Sequence, residues 1–139
     1  MDCLFCKIAF GEIPSYKVYE DENFLGFLDI RPLNLGHCLI IPKKHYRWVW
    51  DLPVSDEKGQ ANVGEYFTVA AKIANAQRKA FNTDWVVSVI LGEEVPHAHI
   101  QLIPRFSNDG HNGSIKMNNR KQFSEEEMRQ AAEKIKKEI

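Results

Sequence analysis

The chain has 139 residues, 44% of them hydrophobic, and 18 basic against 19 acidic side chains give a net charge of −1. This fits one domain, 1–139, with a buried core, and the charge balance gives no broad attraction for nucleic acid. No apolar run is long enough to cross a bilayer, Met1-Asp2-Cys3 does not read as a signal peptide, and an odd count of three cysteines argues for a reducing compartment, so a cytoplasmic location is expected.

In chain order, Leu4 to Phe10 reads as a short helix stopped by Gly11. Tyr16–Glu20 and Phe24–Leu28 read as a hairpin, because Asp21-Glu22-Asn23 is a turn cluster between β-prone runs. Arg31-Pro32-Leu33-Asn34 breaks the chain, and His37–Ile41 is a compact apolar strand closed by Pro42. Ser55 is a plausible N-cap for a long helix to about Phe81, with Val63, Phe67, Ala70, Ile73, Ala74 and Phe81 at helical spacing. Trp85–Leu91 reads as a strand, followed by Gly92-Glu93-Glu94. Phe106–Asn119, rich in Gly, Asn and Ser, reads as a loop, and the nearby Lys116, Arg120 and Lys121 as its solvated basic cluster. Ser124-Glu125-Glu126-Glu127 forms a capping box, and Met128, Ala131, Ile135 and Ile139 stripe one face of the helix it opens. The pattern is α+β: an antiparallel five-stranded meander, one long helix, a short N-terminal helix and a C-terminal helix.

Two segments carry chemistry. In Val95-Pro96-His97-Ala98-His99-Ile100-Gln101-Leu102-Ile103-Pro104, polar and aliphatic residues alternate. On a β-strand this puts His97, His99 and Gln101 on one face and buries Ala98, Ile100 and Leu102 on the other. Adjacent imidazoles near neutral pH serve as nucleophile, proton carrier or metal ligand. Near the start, Cys3 and Cys6 form Cys-x-x-Cys. Two thiolates at this spacing can hold one tetrahedral zinc with two further ligands, for which His45, His97 and His37 are available.

The alternating segment resembles the signature of the histidine triad (HIT) superfamily, His-φ-His-φ-His-φ-φ with φ apolar, followed here by Pro104-Arg105. Cys3-Leu4-Phe5-Cys6, Gly11-Glu12-Ile13-Pro14, Tyr19-Glu20-Asp21, Phe27-Leu28-Asp29-Ile30 and His37-Cys38-Leu39-Ile40-Ile41-Pro42-Lys43-Lys44-His45 are similar to the small HIT nucleotide hydrolases, in order and at similar spacing. The resemblance covers roughly residues 2–105, the core of the single domain, with a C-terminal loop and helix over 106–139. The third signature position is Gln101 rather than His, which resembles the nucleotidyl-transferase branch.

The resemblance implies a structural zinc on Cys3, Cys6, His45 and His97. It implies His99 as the nucleophile at the α-phosphorus of a nucleotide, with the other ring nitrogen held by a backbone carbonyl of the same strand. It places Asp29 at the ribose hydroxyls, and Ile30, Leu4, Phe5, Ile8 and Phe27 around the base. Gly92 and Val95 lie in the loop that faces the phosphate, where Glu94 replaces a usual Ser or Thr. A homodimer follows from the resemblance alone.

Gln101 can donate to a phosphoryl oxygen but cannot deliver a proton. This departure favours phosphoanhydride substrates, such as a purine nucleoside polyphosphate, or nucleotidyl transfer, over phosphoramidates. Two other classes stay open: a nucleotide-binding module with little catalysis, and a zinc-stabilised interaction domain.

Overall fold

The computed structural model describes residues 2–139. Helix α1 (Leu4–Ala9) is followed by strands β1 (Lys17–Glu20), β2 (Phe24–Leu28) and β3 (Cys38–Pro42). Then come helix α2 (Val63–Ala80), strands β4 (Val86–Val89) and β5 (Ile100–Pro104), and helix α3 (Glu125–Lys137). All five strands join one antiparallel sheet in the order β1-β2-β3-β5-β4. The first three form a meander. Helix α2 then carries the chain across, and the final hairpin returns with β5 innermost, against β3. That order brings β5 beside His37 and the N-terminal cysteines.

Strands β2, β3 and β5 are buried at every position because both faces of the sheet are covered. Phe24, Leu28, Cys38, Ile40, Ile100 and Leu102 pack under α2 and α3. Leu25, Phe27, Leu39 and Ile41 face the other way, under Phe5, Cys6 and Ile8 of α1. At Gly26, α2 packs close: a Cβ there would sit 2.7 Å from Ile73 Cδ1. Among the described residues, no helix is long and apolar enough to cross a membrane.

The long helix begins later than its expected cap. Ser55 Oγ instead accepts the Glu57 N–H in a local turn at 3.1 Å, and Asn62 caps α2 through Oδ1 and the Glu65 N–H at 2.8 Å. The buried face is Tyr66, Val69, Ala70, Ile73, Ala76 and Gln77, and Phe67 lies outside it. On α3 the capping box forms as expected. Its buried stripe is Met128, Ala131, Ala132 and Ile135; the helix ends at Lys137, so Ile139 stays exposed.

Residues 106–123 lack regular structure, as expected for Phe106–Asn119, and much of the segment is exposed, but a few of its side chains anchor it to the core. The buried Arg105 guanidinium binds Asp109 through Nε at 2.7 Å and Nη2 at 3.3 Å. The Asp109 carboxylate also accepts the Phe106 and His111 N–H groups, each at 3.1 Å, and the Asn34 amide at 3.0 Å. His111 Nε2 donates to Leu33 O at 3.0 Å. These bonds strap the segment against the turn that follows β2.

Candidate active site

Residue 99 enters the site just before β5 begins, because regular pairing with β3 starts at Ile40 and Ile100. The alternation still holds upstream, where the Ala98 N–H donates to Tyr46 O at 2.7 Å. Ala98, Ile100 and Leu102 enter the core beneath α2. His97, His99 and Gln101 turn to the face covered by α1.

His97 is fully buried. Its Nε2–H donates to Pro42 O at 2.8 Å, which leaves the Nδ1 lone pair free. Nδ1 lies 3.4 Å from both Cys3 Sγ and Cys6 Sγ, and His45 Nδ1 lies 3.3 Å from Cys6 Sγ. The four ligand atoms lie within 4.8 Å of one another. Two sulfurs and two nitrogens converging on one point match a closed tetrahedral zinc set, and the Pro42 carbonyl fixes the His97 tautomer as an outer partner does in such sites. Without a cation, burial and the neighbouring Cys3 push the Cys6 thiol up to about 11. A bound cation would reverse that preference. His37 is not part of this cluster.

His99 has a different environment. Its Nδ1–H donates to the His97 carbonyl oxygen at 2.8 Å, so in the neutral ring Nε2 carries the lone pair. The ring stands edge-on to Phe5 at 5.1 Å between centroids and is 6% exposed. It borders a cavity of about 270 Å³ with Gln101, Asp29, Val95, Glu94 and Arg120. The apolar wall is Leu4, Phe5, Ile8, Phe27 and Ile30, which brings together every residue expected around the base. Gly92 lies elsewhere: its carbonyl accepts from Arg47 Nη1 at 2.7 Å, and the Trp48 ring covers it. With φ at +74°, it serves to turn the chain toward Val95 rather than to line the cavity.

Gln101 is oriented by a residue with no role in the sequence reading beyond a spare metal ligand. The Leu33 N–H donates to His37 Nδ1 at 3.1 Å, so the His37 proton sits on Nε2. That proton goes to Gln101 Oε1 at 3.0 Å. The Gln101 NH₂ group therefore has no acceptor on the His37 side and lies at the cavity wall. Burial pushes the His37 imidazole down to about 4, so it is neutral near pH 7.

Asp29 is shared between fold and site. Oδ1 accepts the Arg31 N–H at 2.9 Å in a local turn, while Oδ2 lies 3.3 Å from Arg120 Nη1 and 3.8 Å from His37 Nε2. Of the expected solvated basic cluster only Lys116 is exposed; Arg120 and Lys121 are half-buried and correct that expectation. The strap turns both inward, and Lys121 Nζ donates to Asn34 Oδ1 and Asp109 O. Sequence spacing carried no signal for this, since Asp29 and Arg120 are 91 positions apart. Ser15 was also missed: its buried Oγ has no partner among the described residues and belongs to the cavity wall.

Comparison with known proteins identifies the family and the fold. The profile of the HIT domain matches residues 10–108. A HIT-like protein of Borreliella burgdorferi is 43% identical over 78% of this chain and 79% of its own. Adenylylsulfatase HINT3 of Arabidopsis thaliana is 39% identical over 78% of this chain and 54% of its own. Adenosine 5′-monophosphoramidase HNT1 of Saccharomyces cerevisiae is 39% identical over 74% and 62% respectively. Among solved structures, a Hit-like protein from Bartonella henselae superposes with a TM-score of 0.81 at 30% identity, covering 99% of this chain and 96% of that one. A Zn-bound histidine triad family protein from Mycobacterium smegmatis gives 0.76 at 30% identity, covering 99% and 93%.

Proposed function

Because the chain belongs to the HIT domain family, we propose that it is a nucleotide hydrolase or nucleotidyl transferase acting at the α-phosphate through a nucleotidyl-histidine. The observation that carries this reading is the His99 tautomer: Nδ1–H is held by the His97 carbonyl, and the bare Nε2 borders a cavity with an apolar wall and a carboxylate. The base lies against Phe5, Ile8 and Phe27, and the ribose hydroxyls donate to Asp29. Nε2 then attacks the α-phosphorus. The N–P bond forms as the bond to the leaving group breaks, and the leaving group departs with the electron pair. In the second step a water or acceptor hydroxyl forms the new O–P bond, the N–P bond breaks, and the acceptor's proton is released. The Gln101 NH₂ donates to the phosphoryl oxygen as charge gathers there.

The relatives named for adenylylsulfatase and adenosine monophosphoramidase support an adenosine nucleotide as substrate. The Gln101 amide favours a purine nucleoside polyphosphate or a similar weakly basic leaving group. The four Cys and His donors would hold a structural zinc, which leaves no open position for substrate. It would tie α1, and with it the base-binding wall, to the His97 end of the catalytic row. The zinc-bound relative from Mycobacterium smegmatis supports this assignment. A homodimer is supported by strand β4, which pairs only with β5 among the described residues, and by the apolar groove of Phe67, Ala71, Ala74, Val86 and Ile90 beside it.

The reading is tested by His99→Asn assayed on dinucleoside polyphosphates, adenosine phosphosulfate and adenosine phosphoramidate. Loss of turnover with AMP affinity retained is expected, because only the attacking nitrogen is removed. Substantial residual turnover would exclude His99 as the nucleophile.

A further inference from the structure

The strap delivers one charged side chain into the site. Lys121 fixes the backbone on the C-terminal side of Arg120: its N–H donates to Pro32 O at 2.8 Å, and its ammonium reaches Asp109 O at 2.6 Å. Arg120 then extends over the pocket mouth, with its side chain only 19% exposed. Its Nη1 donates to Asp29 Oδ2 at 3.3 Å and to Arg31 O at 2.9 Å. A guanidinium carries five N–H donors in a rigid fork. Nε and Nη2 have no partner among the described residues.

Arg120 stands where two spaces meet. One is the cavity that holds His99, Gln101 and the apolar wall. The other is an open pocket of about 400 Å³ lined by Asp29, Arg31, Glu94, Met117, Asn118 and Arg120. Under the reading above, the apolar wall takes the base, Asp29 the ribose, and His99 with Gln101 the α-phosphate. The adjoining pocket is then the space left for the group attached to that phosphate. Its two arginines are offset by the Asp29 and Glu94 carboxylates, so bulk positive charge does not select an anion there. Selection must come from aligned donors, and the free edge of the Arg120 fork matches two oxygens of a tetrahedral oxyanion. Removing that fork would leave Glu94 to repel any anion that entered.

We propose that Arg120 is a specificity-determining residue that recognises an anionic leaving group, a phosphate or sulfate joined to the α-phosphate. The proposal rests on the nucleotidyl-transfer reading for its kinetics but can be tested separately by binding.

The test uses Arg120→Gln and Arg120→Lys in the full metal-loaded chain. Affinities for AMP and ADP are measured by titration calorimetry, with kcat/KM for diadenosine triphosphate, adenosine phosphosulfate and adenosine phosphoramidate. Wild type should bind ADP more tightly than AMP, and Arg120→Gln should erase that preference while changing AMP affinity less than about threefold. It should lower kcat/KM for an oxyanion leaving group about 10- to 100-fold more than for the phosphoramidate, the range of a charge-assisted hydrogen bond. Arg120→Lys, which keeps the charge without the fork, should fall between. A loss confined to the polyphosphate, or to the phosphosulfate, supports the proposal and identifies the oxyanion. Equal losses for AMP and all substrates would overturn it, showing that Arg120 only steadies Asp29; so would unchanged ADP preference. Absence of wild-type turnover would defeat the nucleotidyl-transfer reading, and the ADP and AMP affinities would still decide for or against Arg120.

Discussion

At the scale of single residues, one substitution in the signature shapes the chemistry. Gln101 presents an amide where the resembled signature has an imidazole, and His37 fixes which end of that amide faces the cavity. The chain Leu33 N–H to His37 Nδ1, then His37 Nε2–H to Gln101 Oε1, admits one direction only. In the proposed mechanism the amide would donate to the phosphate but could give no proton to a departing amine. General acid help of that kind is typically worth ~10²–10⁴-fold. Wild type should therefore prefer a nucleoside polyphosphate over an alkyl phosphoramidate of the same nucleoside. Gln101→His should narrow the gap by raising the phosphoramidate rate. The measurement is the ratio of kcat/KM for the two substrate types. Efficient wild-type turnover of the phosphoramidate, with no gain in the variant, would show that the proton comes from another group. The identity of Gln101 was legible in the sequence, but its orientation was not. It depends on the backbone N–H of Leu33, a contact that residue types do not encode.

At the scale of elements, hydrophobic period and capping chemistry located the first four strands and the C-terminal helix to within a residue or two, whereas the signature strand, read from Val95, becomes regular only at Ile100. They failed where polar residues are buried. Phe106–Asn119 has the composition of a solvated loop, yet Asp109 is almost fully enclosed and collects donors from Arg105, Asn34, Phe106 and His111. The Arg105 guanidinium holds the Asp109 carboxyl well below the usual carboxylate range. Since the folded value is depressed, this stabilisation is present above the unfolded value near 3.8 and is lost as pH falls below it. Asp109→Ala would leave Arg105 buried and unpaired, at a cost of about 3–5 kcal/mol. Thermal unfolding at pH 7 should shift down by on the order of 10 °C. Because the same strap carries Arg120, the variant should also lose the preference for ADP over AMP. A variant with wild-type Tm would show that the strap is not anchored through this pair.

At the scale of the whole molecule, the sheet order places the N-terminal cysteines, the end of β3 and the entry to β5 at one corner. The four Cys and His donors were legible as a set through their resemblance to a known pattern, and the structure converges them. That β5 would lie inside β4 was not legible, because strand order depends on long-range pairing across the α2 crossover. Metal analysis and sedimentation of chelator-free protein should give one zinc per chain and twice the chain mass. The Cys3→Ser, Cys6→Ser variant should lose the metal and melt lower, since structural zinc contributes folding free energy. Zinc-free, monomeric wild type would contradict both assignments. The central claim, however, is a covalent bond at one nitrogen. It is tested most directly by mixing wild-type protein with a purine nucleoside polyphosphate, quenching into alkali within one turnover, and mapping the peptides by mass. A nucleoside monophosphate joined to the peptide bearing His99, formed and consumed at the turnover rate and absent from His99→Asn, is the expected result. Turnover with no such adduct, or an adduct that persists in His99→Asn, would contradict it.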